Sequence, residues 1–245
     1  MRTIVVVPAR LASTRLPRKA LLRETGKFMI EHVWERVRLA KNVARLVIAT
    51  DAREIEAACR SFGAEVVMTR DTHVSGTDRC AEAYATLVRG GERADLVVNV
   101  QGDEPEVDPA HIEKLIAVMA SSKAPMGTLA EPFDDPEEAA RPQVVKVVLD
   151  HAGRCLYFSR SPIPSGPGGW LRHVGMYAFT PAFLEAFTRL APAELEKRER
   201  LEQLRALAHG HAIQAAVVTG SGVRGIDTPE DYAAFVSRWR GRGKL

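Results

Sequence analysis

Short apolar runs alternate with segments of helical apolar spacing, and this alternation constrains the fold of the chain more than any other feature. Ile4–Val7 and Leu46–Ala49 are unbroken apolar runs, and Glu65–Met68 and Leu96–Val100 are further strand-length segments. Between them, Met29–Leu39, Glu54–Phe62 and Thr77–Val88 carry apolar residues at helical intervals. Strands buried on both faces read as continuous apolar runs, and strands alternating with helices predict a parallel sheet covered by helices. In such sheets ligands sit beyond the carboxyl ends of the strands. The loops after Val7, Ala49 and Val100 are therefore expected to share one functional edge.

The second half is less regular. Asp108–Ala120, Pro181–Leu190 and Glu199–His209 read as helices. Gly127–Glu131, Val144–Leu149, Val174–Phe179 and Ile213–Val218 read as strands, and Tyr157–Gly169 as a Pro/Gly-rich loop. A last helix follows Asp227, with Thr228 as N-cap and Pro229 at its first position. This half is expected to pack on the first sheet as an insertion that supplies a second substrate. At 245 residues the chain suffices for one large domain carrying such an insertion.

Three places along the chain point to chemistry. The stretch PARLASTRLPRKAL, following the first apolar run, holds Arg10, Arg15, Arg18 and Lys19 and no acid. Arginines grip phosphate oxygens two at a time and loop amides add donors, so the loop reads as a polyphosphate site or as a solvated basic loop. Asp103 stands in the turn QGDEP just past a strand, beside a glycine that permits close backbone approach. Asp227 precedes the last helix and follows the Gly/Ser-rich stretch TGSGVRGI. Two distant carboxylates of this kind suit magnesium held against nucleotide phosphates; an ordinary turn acid and a helix cap are the alternatives. The chain lacks GxxxxGK[ST], and it lacks GxGxxG after its first strand, so a phosphate grip here relies on side chains.

Composition excludes several classes. A net charge of +3, with one basic loop and no basic stripe, does not describe a general nucleic-acid binder. No stretch has the length of a membrane span, and the N-terminal apolar run is too short for a signal peptide. The three cysteines fit neither a metal spacing nor a disulfide framework, and Cys59 and Cys80 sit in alanine-rich helical patterns as core residues. A reducing, cytoplasmic location is expected. His209-Gly210-His211 follows a helix end and reads as a solvated turn, not a zinc site.

PARLASTRLPRKAL, HVSGTDRCAEA, VVNVQGDEP, VVKVVLD, YFSRSPIP, RHVGMYAF, LEQLRAL and GIDTPEDY occur here in one order. Together, from about Ile4 to about Phe235, they resemble the 3-deoxy-manno-octulosonate cytidylyltransferase (CMP-Kdo synthetase) family. The resemblance implies a Rossmann-like, mostly parallel central sheet flanked by helices, of the nucleotide-diphospho-sugar transferase type, with a smaller sugar-binding insertion. It implies a nucleotide-binding half over about 1–105, a sugar-binding and dimerisation half over about 106–220, and a C-terminal segment over about 221–245 that returns to the metal site. The implied reaction couples CTP to the sugar acid Kdo, giving CMP-Kdo and pyrophosphate for lipopolysaccharide synthesis, with Mg2+ as cofactor and a homodimer as the assembly. Neither nucleic acid nor membrane is an implied partner.

The resemblance also assigns residues. Arg10, Arg15 and Lys19 would hold the triphosphate. Pro8, Ala9 and Arg10 would line the base, and Ser75, Gly76 and Arg79 would help select cytosine. Asp103 and Asp227 fall at the magnesium ligands, and Gln101, Arg160, His173, Tyr177, Glu202 and Gln203 at Kdo-contacting positions. Two departures stand out. Where the family reads LPGKPL this chain has Leu16-Pro17-Arg18-Lys19-Ala20-Leu21, so Arg18 replaces a glycine and is expected to alter the loop and add charge near the phosphates. The segment between SRSPIP and RHVGMY is short. Transfer to another sugar acid (8-amino-Kdo or sialate type) and a non-catalytic nucleotide-binding module are the rival functions.

Overall fold

The computed structural model describes residues 1–13, 15–220 and 225–242, so Thr14 and the middle of the Gly/Ser-rich stretch before Asp227 lie outside the described residues. The strands are β1 (Thr3–Ala9), β2 (Val43–Thr50), β3 (Val66–Met68), β4 (Leu96–Asn99), β5 (Met126–Phe133), β6 (Lys146–Leu149), β7 (Cys155–Ser159), β8 (Trp170–Phe179) and β9 (Ile213–Val217). The helices are α1 (Met29–Val37), α2 (Arg53–Ser61), α3 (Gly76–Arg89), α4 (Pro109–Ser121), α5 (Pro136–Ala139), α6 (Pro181–Phe187), α7 (Glu194–Glu199), α8 (Leu204–Ala208) and α9 (Pro229–Arg242). They form two compact units. The first is Arg2–Ala94, Asn99–Pro109 and Gly222–Leu245; the second is Met1, Asp95–Val98 and Ala110–Ser221.

In the first unit β1 runs parallel to β2, with Ile4 opposite Arg45 and Ala9 opposite Thr50, and β2 runs parallel to β3, with Ile48 opposite Val66. Ile4 to Val7 are fully buried, as an unbroken apolar run requires. Helix α3 packs on β1 and β2, and α2 on β2 and β3. Each buries a stripe at helical spacing: Ile55, Ala58 and Cys59 on α2; Cys80, Ala83, Tyr84 and Leu87 on α3. A separate core cluster joins Leu16, Met29, Ile226, Tyr232, Phe235 and Val236. It anchors the basic loop through Leu16 and the approach to Asp227 through Ile226. The three cysteines are free and buried.

In the second unit the strand order is β4-β8-β5-β9, with β6 beside β8 and β7 beside β6. β5 is antiparallel to β8 and parallel to β9. Two sequence expectations are corrected here. The Pro/Gly-rich loop starts later than Tyr157, because Cys155–Ser159 pairs antiparallel with β6. Glu199–His209 is not one helix: α7 ends at Glu199, Arg200 turns left-handed (φ 53, ψ 48), and α8 begins only at Leu204. No helix among the described residues is long and apolar enough to cross a membrane.

Candidate active site

The carboxyl edge of the first unit's strands opens into a cavity of about 360 Å³. Its floor begins where β1 ends, at Pro8, Ala9 and Arg10, and the basic loop adds Ser13, Arg15, Lys19 and Ala20. The start of α3 contributes Ser75 and Gly76, and Arg79 follows one turn later. Gln101, Gly102 and Asp103 of the QGDEP turn line it, as does Asp227. Eleven residues singled out from sequence (Pro8, Ala9, Arg10, Arg15, Lys19, Ser75, Gly76, Arg79, Gln101, Asp103 and Asp227) thus share one cavity.

Lys19 organises the acidic side. Its Nζ donates to Asp103 Oδ2 at 2.5 Å, to Asp227 Oδ1 at 3.1 Å and to the Ile226 carbonyl at 3.1 Å. Arg15 meets the other oxygen of Asp227 at 3.0 Å. The carboxylate of Asp227 is therefore not the helix cap. That role falls to Thr228 and Asp231, whose side chains each accept from the other's backbone N–H, at 3.2 and 2.9 Å. The backbone N–H of Ile226 donates to the Asp103 carbonyl at 2.8 Å, which ties the two acid-bearing segments together. Glu104, next to Asp103, is pushed up to about 8 by burial and then by the neighbouring carboxylate. It is thus mostly protonated at neutral pH and leaves the charge to Asp103 and Asp227.

The α3 side of the cavity is built from capped and buried groups. Ser75 caps α3, its hydroxyl oxygen accepting from Asp78 N–H at 3.1 Å, so the positive end of that helix faces the cavity. Arg79 is 4% exposed, and its guanidinium donates to Asp51 Oδ2 at 2.9 Å and Thr69 Oγ1 at 2.6 Å. Those partners lie just past β2 and β3, which explains the parallel edge as the place of the site. Gly102 is required by close approach, because a Cβ there would stand 2.5 Å from the Pro8 carbonyl oxygen.

Arg18 departs from expectation. It takes the left-handed backbone (φ 56, ψ 26) that glycine favours. Its side chain pairs with Glu54 on α2 and does not line the cavity. The extra charge goes to a local ion pair, not to the cavity.

The remaining candidates belong to the second unit. Arg160 donates from Nε to the Glu199 carbonyl at 2.7 Å, from Nη1 to Pro142 at 2.9 Å and from Nη2 to Arg200 at 3.3 Å. The rings of His173 and Tyr177 meet at a tilt of 37°, with centroids 5.4 Å apart. The Thr128 hydroxyl donates to the Met176 carbonyl at 2.9 Å and sits 3.0 Å from His173 Nε2. Its single proton is thereby committed, so Nε2 of the neutral imidazole carries hydrogen and Nδ1 is its acceptor. Desolvation pushes His173 down to about 3, which keeps it neutral at working pH. Gln203 is 2% exposed and its Nε2 has no hydrogen-bond partner among the described residues. Glu202 and Gln203 lie in the turn between α7 and α8, not on a helix face.

A family model described as cytidylyltransferase matches residues 4–213. The 3-deoxy-manno-octulosonate cytidylyltransferase of Syntrophobacter fumaroxidans is 48% identical over 243 residues, covering 96% of each chain. That of Geobacter metallireducens is 41% identical, covering 97% of this chain and 98% of its own. The chain belongs to the 3-deoxy-manno-octulosonate cytidylyltransferase family. A solved CMP:2-keto-3-deoxy-manno-octonic acid synthetase in complex with CTP superimposes with a TM-score of 0.92 at 38% identity, over 99% of this chain and 100% of that one. The likeness establishes the family's mostly parallel α/β sheet flanked by helices. A Leptospira borgpetersenii cytidylyltransferase shares that fold at a TM-score of 0.63 and 18% identity.

Relative to this family's motifs, sequence reasoning missed His73, Val74 and Ser13 on the cavity wall. His73 and Val74 directly precede Ser75, so adjacency was the available signal. His73 is held through its Nε2 by Glu82, nine residues later.

Proposed function

We propose that this chain activates 3-deoxy-D-manno-octulosonate with CTP, giving CMP-Kdo and pyrophosphate for lipopolysaccharide biosynthesis, and that the cavity of the first unit is its CTP site. The observation that carries this reading is the meeting of Asp103 and Asp227 on one cation, Lys19, inside a cavity that also holds Arg10 and Arg15. A general nucleotide-binding module has no need of two converging carboxylates beside the phosphate grip.

The donor set fits magnesium. Both carboxylates reach a single point charge, and no cluster of three or more His, Cys, Asp or Glu exists among the described residues. Magnesium characteristically takes one or two carboxylates together with substrate phosphates and water. Asp103 and Asp227 would hold it, and when bound it supplies positive charge against the α-phosphate and lowers the pKa of a nearby sugar hydroxyl.

The protein's own groups do the rest. Arg10, Arg15 and Lys19 stabilise the charge that builds on the leaving pyrophosphate as the anomeric 2-hydroxyl of the sugar acid displaces it in line from the α-phosphorus. Arg79, locked by Asp51 and Thr69, and the capped start of α3 orient the cytidine. Holding both substrates in register supplies much of the remaining acceleration. In the second unit Arg160 keeps one N–H on each terminal nitrogen beyond its three carbonyl contacts, enough for a bidentate carboxylate. Gln203 Nε2 and the acceptor Nδ1 of His173 offer complementary partners to sugar hydroxyls.

The sugar assignment is tested by offering CTP and Mg2+ with Kdo, 8-amino-Kdo or N-acetylneuraminate and identifying products by mass. CMP-Kdo formed with a kcat/KM well above the others is expected. Preference for either rival acid would move the assignment to that sugar.

A further inference from the structure

Lys146 is fully buried on β6, and its ammonium serves no step described above. It donates to three backbone carbonyls, Arg160 at 2.5 Å, Val144 at 2.6 Å and Arg141 at 3.3 Å. A charge removed from water is expensive unless its donors are satisfied, and here each ammonium hydrogen has an acceptor. Desolvation lowers the lysine's pKa, and the charge of nearby Glu199 opposes that shift. The lysine fastens segment 141–144 to Arg160.

Glu199 fastens Arg160 from the other side. One carboxylate oxygen accepts from Ser159 Oγ at 2.7 Å and the other from the Arg160 backbone N–H at 2.8 Å. The guanidinium of Arg160 then returns to the Glu199 and Arg200 carbonyls. Arg200 is held in a left-handed conformation, which a non-glycine residue keeps only where surrounding contacts impose it. That turn delivers Glu202 and Gln203 immediately afterwards. One polar frame, Lys146–Arg160–Glu199, thus sets both the plane of the Arg160 guanidinium and the exit of the chain toward Gln203.

We propose that Glu199, supported by Lys146, is a positioning residue that fixes affinity for the carboxylate-bearing sugar acid without touching it. The inference rests on the proposed function and extends it to two residues outside the substrate contacts. Neither lies in the unit that holds the CTP cavity.

The test uses the full chain and reads KM for Kdo and KM for CTP separately. Glu199→Gln keeps the volume but removes one acceptor and the charge between Lys146 and Arg160. KM for Kdo is expected to rise by about tenfold or more, with KM for CTP within about twofold and CTP affinity by calorimetry unchanged. Ser159→Ala, which removes one donor to Glu199 and leaves the Arg160 N–H and the Tyr157 hydroxyl, is expected to shift KM for Kdo the same way by a smaller factor. Lys146→Met is read only alongside these, since it strands three carbonyls. An unchanged KM for Kdo in folded Glu199→Gln, while Arg160→Lys raises it, would overturn the positioning role and leave the proposed function intact. Parallel rises in both KM values would also overturn it, in favour of a merely structural role. Absence of any CTP- and Kdo-dependent turnover in the wild-type protein would overturn the proposed function and this inference with it.

Discussion

Lys19 donates from Nζ to Asp103 Oδ2 at 2.5 Å. Because the same nitrogen also reaches Asp227, residues separated by more than a hundred positions act as one acidic pair facing the basic loop. Replacing Asp103 by Asn removes one of the two charges. Turnover is expected to fall by on the order of a thousandfold or more, with thermal stability little changed, as measured by pyrophosphate release and a melting curve. Near-normal turnover would remove Asp103 from the metal role.

Arg18 yields a prediction of opposite sign from helix and loop intuition. Its left-handed backbone penalises any Cβ, so Arg18→Gly is expected to be more stable than Arg18→Ala by about 1 kcal/mol. The lost ion pair with Glu54 is exposed on both sides, worth about 0–1 kcal/mol, and is common to both variants. Urea midpoints check the difference. KM for CTP is expected to stay within about twofold in both variants, because the side chain lies outside the cavity.

Gly102 is predicted to tolerate no side chain. A Cβ would meet the Pro8 carbonyl at 2.5 Å, and both partners are backbone, so the QGDEP turn must move away from the end of β1. Gly102→Ala is expected to cost about 1–3 kcal/mol by overpacking and to lower kcat/KM by displacing Gln101 and Asp103. Activity equal to wild type would show that the turn has slack.

His32 controls part of the acid sensitivity. It is 2% exposed, lies edge-on to Phe235 and Trp239, and is pushed down to about 4, chiefly by burial. The unfolded chain binds the proton at the ordinary value near 6.5, so between about pH 6.5 and 4 the unfolded state carries more protons than the folded one. Its contribution is present above pH 6.5 and is lost as pH falls through about 4, at a cost of order 3 kcal/mol. Replacing it with Gln should flatten the fall of the urea midpoint over that window. His173 acts in the same direction at lower pH, and it should contribute no limb to the rate profile above pH 5.

What the sequence revealed follows from how local each determinant is. The unbroken run Ile4–Val7 announced a strand buried on both faces, and Thr228-Pro229 announced the start of α9, because both depend on neighbouring residues. The break in Glu199–His209 was hidden, because LEKRERLEQLRAL favours helix throughout and the left-handed Arg200 is held by Arg160, forty residues away. The first part of β8, Trp170 to His173, was missed because its charged residue Arg172 finds its partners on other elements, Glu131 on β5 and Glu138 on α5. Arg18 misled for the same reason: its partner Glu54 lies on another element. The cavity residues were legible mainly through motif order, since nothing local distinguishes Asp227 from the helix-capping acid four residues later.

Pyrophosphate release with each of the four ribonucleoside triphosphates, with and without Kdo and with and without Mg2+, decides whether the chain is a Kdo-specific cytidylyltransferase. Release is expected only when CTP, Kdo and the metal are all present. Release that needs no Kdo or no metal, or none at all despite CTP binding, would contradict it.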